Sequence, residues 1–169
     1  MAGTAEPTLP LRVPWLWTVA IVLTDQVSKF WAVTSLKLSG PVEVIPGLLN
    51  LCYVENPGAA WGMLAGRQFF LITFSIVVSL AFFLKRRQVF GGLCCGGLIF
   101  AVLMGGIIGN LIDRIRVGYV IDFLDFYWRQ SHFPAFNVAD AAICCATFAL
   151  ILSHWHSERK AKKEQAGRD

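Results

Sequence analysis

Residues 68–84 read QFFLITFSIVVSLAFFL, a run without one charged side chain, and Lys85, Arg86 and Arg87 close it. At 1.5 Å per residue such a run makes a helix of roughly 25 Å, enough to cross most of a bilayer core. Three more apolar stretches lie at 14–36, 90–112 and 138–156. Of the 169 residues, 56% are hydrophobic and 15% charged, against about 25% charged in an average soluble domain. A chain this short has too little interior to keep that much Leu, Ile, Val and Phe from water. The composition excludes a disordered chain, a collagen-like repeat and an ordinary soluble domain. It predicts one integral domain over 1–169, all-α, with four transmembrane helices.

The stretch 14–36 has the length of a secretory h-region, but no small-x-small cleavage site follows, and Asp25 and Lys29 interrupt it, so we expect it to stay as a span. Basic residues cluster after the second span and at 159–168 (Arg159, Lys160, Lys162, Lys163, Arg168). Basic segments stay in the cytoplasm, which puts both termini inside and residues 37–67 and 116–134 outside. Arg114, Arg116 and Arg129 run against this count, but three aspartates accompany them. The outer loop 40–56 alternates apolar residues around Pro46-Gly47 and predicts a small antiparallel sheet at the outer surface. The ends, 1–10 and 158–169, are expected to be disordered. Gly92-x-x-x-Gly96 and Gly105-x-x-x-Gly109 predict close helix packing. Five cysteines show no metal spacing, and the basic clusters lack the stacking aromatics of a nucleic-acid groove.

All five glutamates lie in loops or tails, whereas Asp25, Asp113, Asp122, Asp125 and Asp140 lie within or beside apolar segments. An ionisable group at membrane depth costs at least about 2.5 kcal/mol, so each needs a partner, a wet cavity or a job. Asp25 and Lys29, spaced i and i+4, can neutralise each other, and Asp25 can also orient a site residue. Gly106, Asn110 and Arg114 form one helical stripe, a glycine for close approach beside an amide and a guanidinium. That stripe suits holding substrate carbonyls and equally suits tying down loop carbonyls. Asp113 is expected to balance Arg114 or Arg116. Asp140 falls at the third position after Asn137, where capping a helix alone accounts for it.

Asp122, in Val120-Ile121-Asp122-Phe123-Leu124, has no such explanation. On one unbroken helix residues 122 and 140 would lie about 27 Å apart, but Gly118 and Pro134 bracket a segment able to fold back and bring the two carboxyls together. Two carboxyls in one dry site do not both ionise easily, so one keeps a proton and the other acts as a base, the equipment of an aspartic peptidase. Asp125 competes with Asp122: extended backbone points them apart, and a helix sets them side by side.

Five blocks of residues together resemble the bacterial lipoprotein signal peptidases, or signal peptidase II: Asp25-Gln26-Val27-Ser28-Lys29, Asn56-Pro57-Gly58-Ala59-Ala60-Trp61, Gly105-Gly106-Ile107-Ile108-Gly109-Asn110-Leu111-Ile112-Asp113-Arg114, Val120-Ile121-Asp122-Phe123 and Phe136-Asn137-Val138-Ala139-Asp140. Trp61 departs from the family, where Phe is expected, and Asp125 matches no block. The resemblance implies that Asp122 and Asp140 are catalytic, that Asn56, Asn110, Arg114 and Asn137 surround the substrate or the acids, and that Asp25, Lys29, Gly106 and Asp113 support the site. It implies cleavage of a prolipoprotein signal peptide on the amino side of a diacylglyceryl cysteine, without metal or cofactor. It further implies a monomer among the lipids of a bacterial inner membrane, with its site near the periplasmic face and sensitivity to globomycin. Rival readings are a proton-coupled channel, with acids spread through the membrane depth, and a non-catalytic scaffold, in which Asp122→Asn would be silent.

Overall fold

The computed structural model describes residues 11–59 and 63–167. The expectations for residues 1–10, for Trp61 and for Arg168 lie outside the described residues. Helix α1 (Trp15–Trp31) starts after Pro14, whose missing N–H costs nothing at a helix start, and runs on through a π-helical turn (Ala32–Leu36) into α2 (Lys37–Ser39). Helices α3 (Gln68–Phe90), α4 (Gly96–Arg116) and α5 (Val138–Ala166) follow. Each of these three is long and apolar enough to cross a membrane.

Helix α4 is the axis of the bundle and packs against α1, α3 and α5. Just over half of its apolar window, 56%, is buried, against 6% for α3. Ile76, Val77, Leu80 and Leu84 of α3 point outward instead, as side chains that face lipid do. The core under α4 consists of Phe90, Ile99, Phe100, Leu103, Met104 and Ala146, with Phe90 and Phe100 in edge contact at 5.2 Å.

Several helix ends differ from the expected spans, α4 running to Arg116 rather than 112 and α5 to Ala166 rather than 156 among them. Helix α3 continues six residues past Leu84, and Arg86 donates to the carbonyl of Phe83 at 2.6 Å, since a cation suits the last turns of a helix. The next span begins at Gly96 rather than residue 90. Gly92 (φ +76°) and Cys95 (φ +59°) turn the chain there, so Gly92-x-x-x-Gly96 belongs to a reversal and not to a helix interface. Gly105 does serve packing, because a Cβ there would come within 2.8 Å of Ile21 on α1. Residues 158–166, expected to be disordered, extend α5. They are rich in the helix formers Ala, Lys, Glu and Gln and include an i, i+4 pair, Lys160–Glu164, at 3.9 Å.

Four antiparallel strands, β1 (Val42–Ile45), β2 (Leu49–Asn56), β3 (Val120–Trp128) and β4 (Ser131–His132), form one sheet in sequence order. The β1–β2 turn uses Pro46 and Gly47 (φ +76°), with the N–H of Leu48 donating to Ile45 at 3.0 Å, as a turn needing positive φ at its third position does. The segment around Asp122 is thus extended and joins the sheet predicted from 40–56 alone. After β4 the chain returns along β3, where Leu124 and Phe136 exchange backbone hydrogen bonds of 2.9 and 3.1 Å.

Helices α4 and α5 meet at Gly106, where a Cβ would stand 2.5 Å from the Ala139 carbonyl oxygen and 2.7 Å from Ile143. Gly106→Ala is therefore expected to lower stability by about 1–3 kcal/mol through overpacking, measured as the thermal midpoint in detergent. Leu38→Ala, at a side chain 94% exposed, should leave the midpoint unchanged. Equal midpoints for the two variants would show that the α4–α5 seam yields freely.

Candidate functional site

The site is built on a buried charge cluster between α1 and α4. Lys29 Nζ lies 2.8 Å from Asp25 Oδ2 and 2.8 Å from Asp113 Oδ2, with the side chains almost wholly shielded from solvent. It also donates to Asn110 Oδ1 at 3.0 Å. The carboxylates reach further: Asp25 accepts from the N–H of Ala139 at 2.9 Å, holding the start of α5, and Asp113 accepts from the N–H of Ile121 at 3.2 Å, holding the start of β3. Gly109 faces this cluster because a Cβ there would come within 2.6 Å of Asp25. Asp113, expected to balance Arg114 or Arg116, instead pairs with Lys29. The arginines are its neighbours in sequence, but the helix turns Asp113 toward α1.

Two acids stand above this cluster. Asp122 comes from β3, in register with Val54 of β2, and accepts from Asn56 Nδ2 at 3.0 Å and from Asn137 Nδ2 at 2.7 Å. Asp140 comes from the first turn of α5 in a capping box: Asn137 Oδ1 accepts from the Asp140 N–H at 2.9 Å, and the Asn137 N–H donates to Asp140 Oδ2 at 3.2 Å. Asp140 Oδ1 accepts from Asn110 Nδ2 at 2.7 Å. Asn137, fully buried, therefore touches both acids.

The three amides have one consistent orientation. The oxygen of Asn110 faces the Lys29 ammonium, that of Asn137 faces the Asp140 N–H, and that of Asn56 accepts from the Gly58 N–H at 3.0 Å. Each of those partners can only donate, so each NH2 is left for a carboxylate.

A cavity of about 960 Å3 opens over the acids. Asn56, Asn110, Arg114, Asp122 and Asp140 give it a polar end, and Leu71, Phe74 and Val78 of α3 and Ile143 of α5 give it apolar walls. Arg114 donates to the Gly58 carbonyl at 3.2 Å, so it ties down the loop after β2 while bordering the cavity. Asp125 lies on the other side of β3 and binds His132 at 2.8 Å and Asn50 at 3.1 Å. Burial, with the charge of Asp140 second, pushes Asp122 from the ordinary carboxylate range up to about 7. A carboxyl so placed keeps its proton near neutrality.

The structure brings Asn56, Asn110, Arg114, Asp122 and Asp140 together at one end of the cavity, with Asn137 buried between the two acids and Asp25, Lys29, Gly106 and Asp113 packed behind them. Sequence reasoning passed over Gln26, whose Nε2 donates to Asp113 Oδ1 at 3.0 Å and to the Gly109 carbonyl at 3.2 Å. The available signal was an amide beside an acid in an apolar span.

A family model described as signal peptidase (SPase) II matches residues 17–156. The lipoprotein signal peptidase of Syntrophotalea carbinolica is 45% identical over 149 residues, covering 85% of this chain and 91% of that protein. That of Shewanella piezotolerans is 42% identical over 154 residues, covering 88% and 90%. A bacterial membrane enzyme solved by the in meso method at 2.3 Å resolution is similar in fold, with a TM-score of 0.78 and 31% identity over 85% of this chain and 87% of that one.

The position of Asp122 has a measurable linkage. Between about pH 4, where an aspartate titrates in an unfolded chain, and about pH 7, the native state binds a proton that the unfolded chain has released. Stability therefore falls as pH rises through this window. The thermal midpoint of the wild type relative to Asp122→Asn is expected to drop across it and level off beyond. A difference that stays flat from pH 4 to 8 would place Asp122 in the ordinary range.

Proposed function

The chain belongs to the signal peptidase II family of lipoprotein-processing membrane peptidases, and on that premise we propose that it is an aspartic endopeptidase whose acids are Asp122 and Asp140. Its substrate is a prolipoprotein, cut on the amino side of a cysteine that carries diacylglycerol. The observation that carries this reading is Asn137, buried and bonded to both acids, which stand at the polar end of a cavity with apolar walls.

The chemistry follows from the hydrogen bonds. Asp122, held protonated by burial, donates to the scissile carbonyl oxygen. Asp140 is the base, its carboxylate oriented by the Asn110 amide and the Asn137 N–H that donate to it. It takes a proton from water as the hydroxide adds to the carbonyl carbon, and the oxygen gains the proton of Asp122. Asp140 then returns its proton to the leaving nitrogen of the cysteine, the C–N bond breaks, and Asp122 recovers a proton from the collapsing intermediate. No metal or cofactor enters these steps.

Geometry supplies the rest of the rate. The lipid tails lie along Leu71, Phe74 and Val78, and Asn56 and Arg114 border the peptide, so membrane anchoring delivers the bond to the acids. In this reading α1 with its continuation to Ser39 is the fourth span, the sheet lies at the periplasmic face of the inner membrane, and both termini are cytoplasmic, beside Lys85–Arg87 and the basic end of α5. The enzyme works as a monomer, and globomycin competes for the same cavity.

Asp122→Asn and Asp140→Asn should each lower cleavage of a diacylglyceryl prolipoprotein by about a thousandfold or more, read as loss of the mobility shift on a gel, while expression and insertion persist. Asp125→Asn should keep most activity. The rate should fall as pH rises above about 7, where Asp122 loses its proton. Turnover in either dyad variant would remove that residue from the mechanism, and an intact rate at pH 9 would take the proton off Asp122.

A further inference from the structure

We propose that Lys29 is a positioning residue for Asp140, acting through Asn110: its ammonium holds the Asn110 amide in the orientation that presents N–H, rather than a lone pair, to the carboxyl group. The inference rests on Asp140 acting as an acid–base group in the reaction above.

Lys29 has three N–H donors, and three acceptors surround it: Asp25 Oδ2 at 2.8 Å, Asp113 Oδ2 at 2.8 Å and Asn110 Oδ1 at 3.0 Å. Two ion pairs would suffice for a structural role. The third bond points at the site, and the other end of the same amide donates to Asp140 Oδ1 at 2.7 Å. A flipped Asn110 would set its NH2 against the ammonium and against Asn137 Nδ2, which lies 3.2 Å from the present amide oxygen. It would also set an oxygen lone pair against Asp140. Lys29 itself has little freedom to shift, because its acids are anchored at Ala139, Ile121 and Gln26. The charged groups around the relay are Asp25 and Lys29 from α1, Asp113 and Arg114 from α4, and Asp122 and Glu55 from the sheet.

Removing Lys29 alone would strand two buried carboxylates, so the test is Lys29→Met in an Asp113→Asn background, which keeps the net buried charge unchanged. Relative to wild type, which carries the same net buried charge, and to Asp113→Asn alone, kcat should fall about 10- to 100-fold with KM within about threefold, and the acid limb of kcat/KM should move up by about one pH unit, the scale of one charge-assisted hydrogen bond. In an Asn110→Ala background the same exchange should cost less than about threefold, because the residue through which Lys29 acts is gone. Asn110→Leu leaves both ion pairs intact and should reproduce the shift of the acid limb on its own, which keeps the test decisive if the Lys29 variants do not fold. An unshifted limb in Asn110→Leu, or equal losses from Lys29→Met with and without Asn110, overturns the proposal. Wild type and Asp140→Asn are assayed alongside: absence of cleavage by wild type, or retained cleavage by Asp140→Asn, refutes the peptidase reading itself, whereas normal profiles in the Lys29 variants refute only the positioning role.

Discussion

One ammonium group shared between two buried carboxylates organises this molecule. Any of the three charges alone would cost several kcal/mol in an apolar bundle, so the cluster exists only where α1 and α4 approach closely, and Gly109 permits that approach. The carboxylates also accept from backbone N–H groups, Asp25 through its other oxygen at the start of α5 and Asp113 through the same Oδ2 at the start of β3. One point therefore fixes two helices, the entry to a third and the first residues of the strand that carries Asp122. Apolar packing along Phe90, Phe100 and Leu103 holds α4 among its neighbours, but it is non-directional and sets neither register nor rotation. The ion cluster sets both.

The sheet solves a second problem, that of bringing together two acids 18 positions apart. Strand β3 takes its place from β2, and the strip 133–136 comes back along β3 through the Leu124–Phe136 pairing. That return brings Asn137, and with it the cap of α5, alongside Asp122. The buried side chains Ile121 and Phe123 pack against Ala32 and Leu36 in the continuation of α1, so the strand rests on the bundle rather than floating above it.

Interactions between near neighbours in sequence were legible, and those made across the fold were less so. Asp25 and Lys29 share a helical face at i and i+4, and Asn137 with Asp140 spells a capping box; both are as the spacing indicates. The conformation of 120–125 depends on strand pairing with a segment more than sixty residues earlier, and local residues leave it open. The partner of Asp113 is hidden from local sequence for the same reason: Arg114 and Arg116 are close in number, whereas Lys29 lies on another helix. The spacing of Gly92 and Gly96 suggests helix packing because spacing alone does not distinguish a helix from a reversal with positive φ. The breaks at Gly118 and Pro134 already allow Asp122 and Asp140 to meet, whereas the gathering of Asn56, Asn110, Arg114 and Asn137 around them comes from the likeness of five short blocks to one family. Periodicity had no means of placing them together.

Asp140 also caps α5 through the oxygen that receives the Asn137 N–H. That contact makes the two acids inequivalent: one carboxyl is locked against rotation by its own helix, and the other is cradled only by side-chain amides. The pair thus has an inbuilt polarity, as a lock has a keyed side. A ligand entering the cavity meets a rigid carboxyl on one flank and an adjustable one on the other, so any adaptation to its shape falls to the strand and not to the helix.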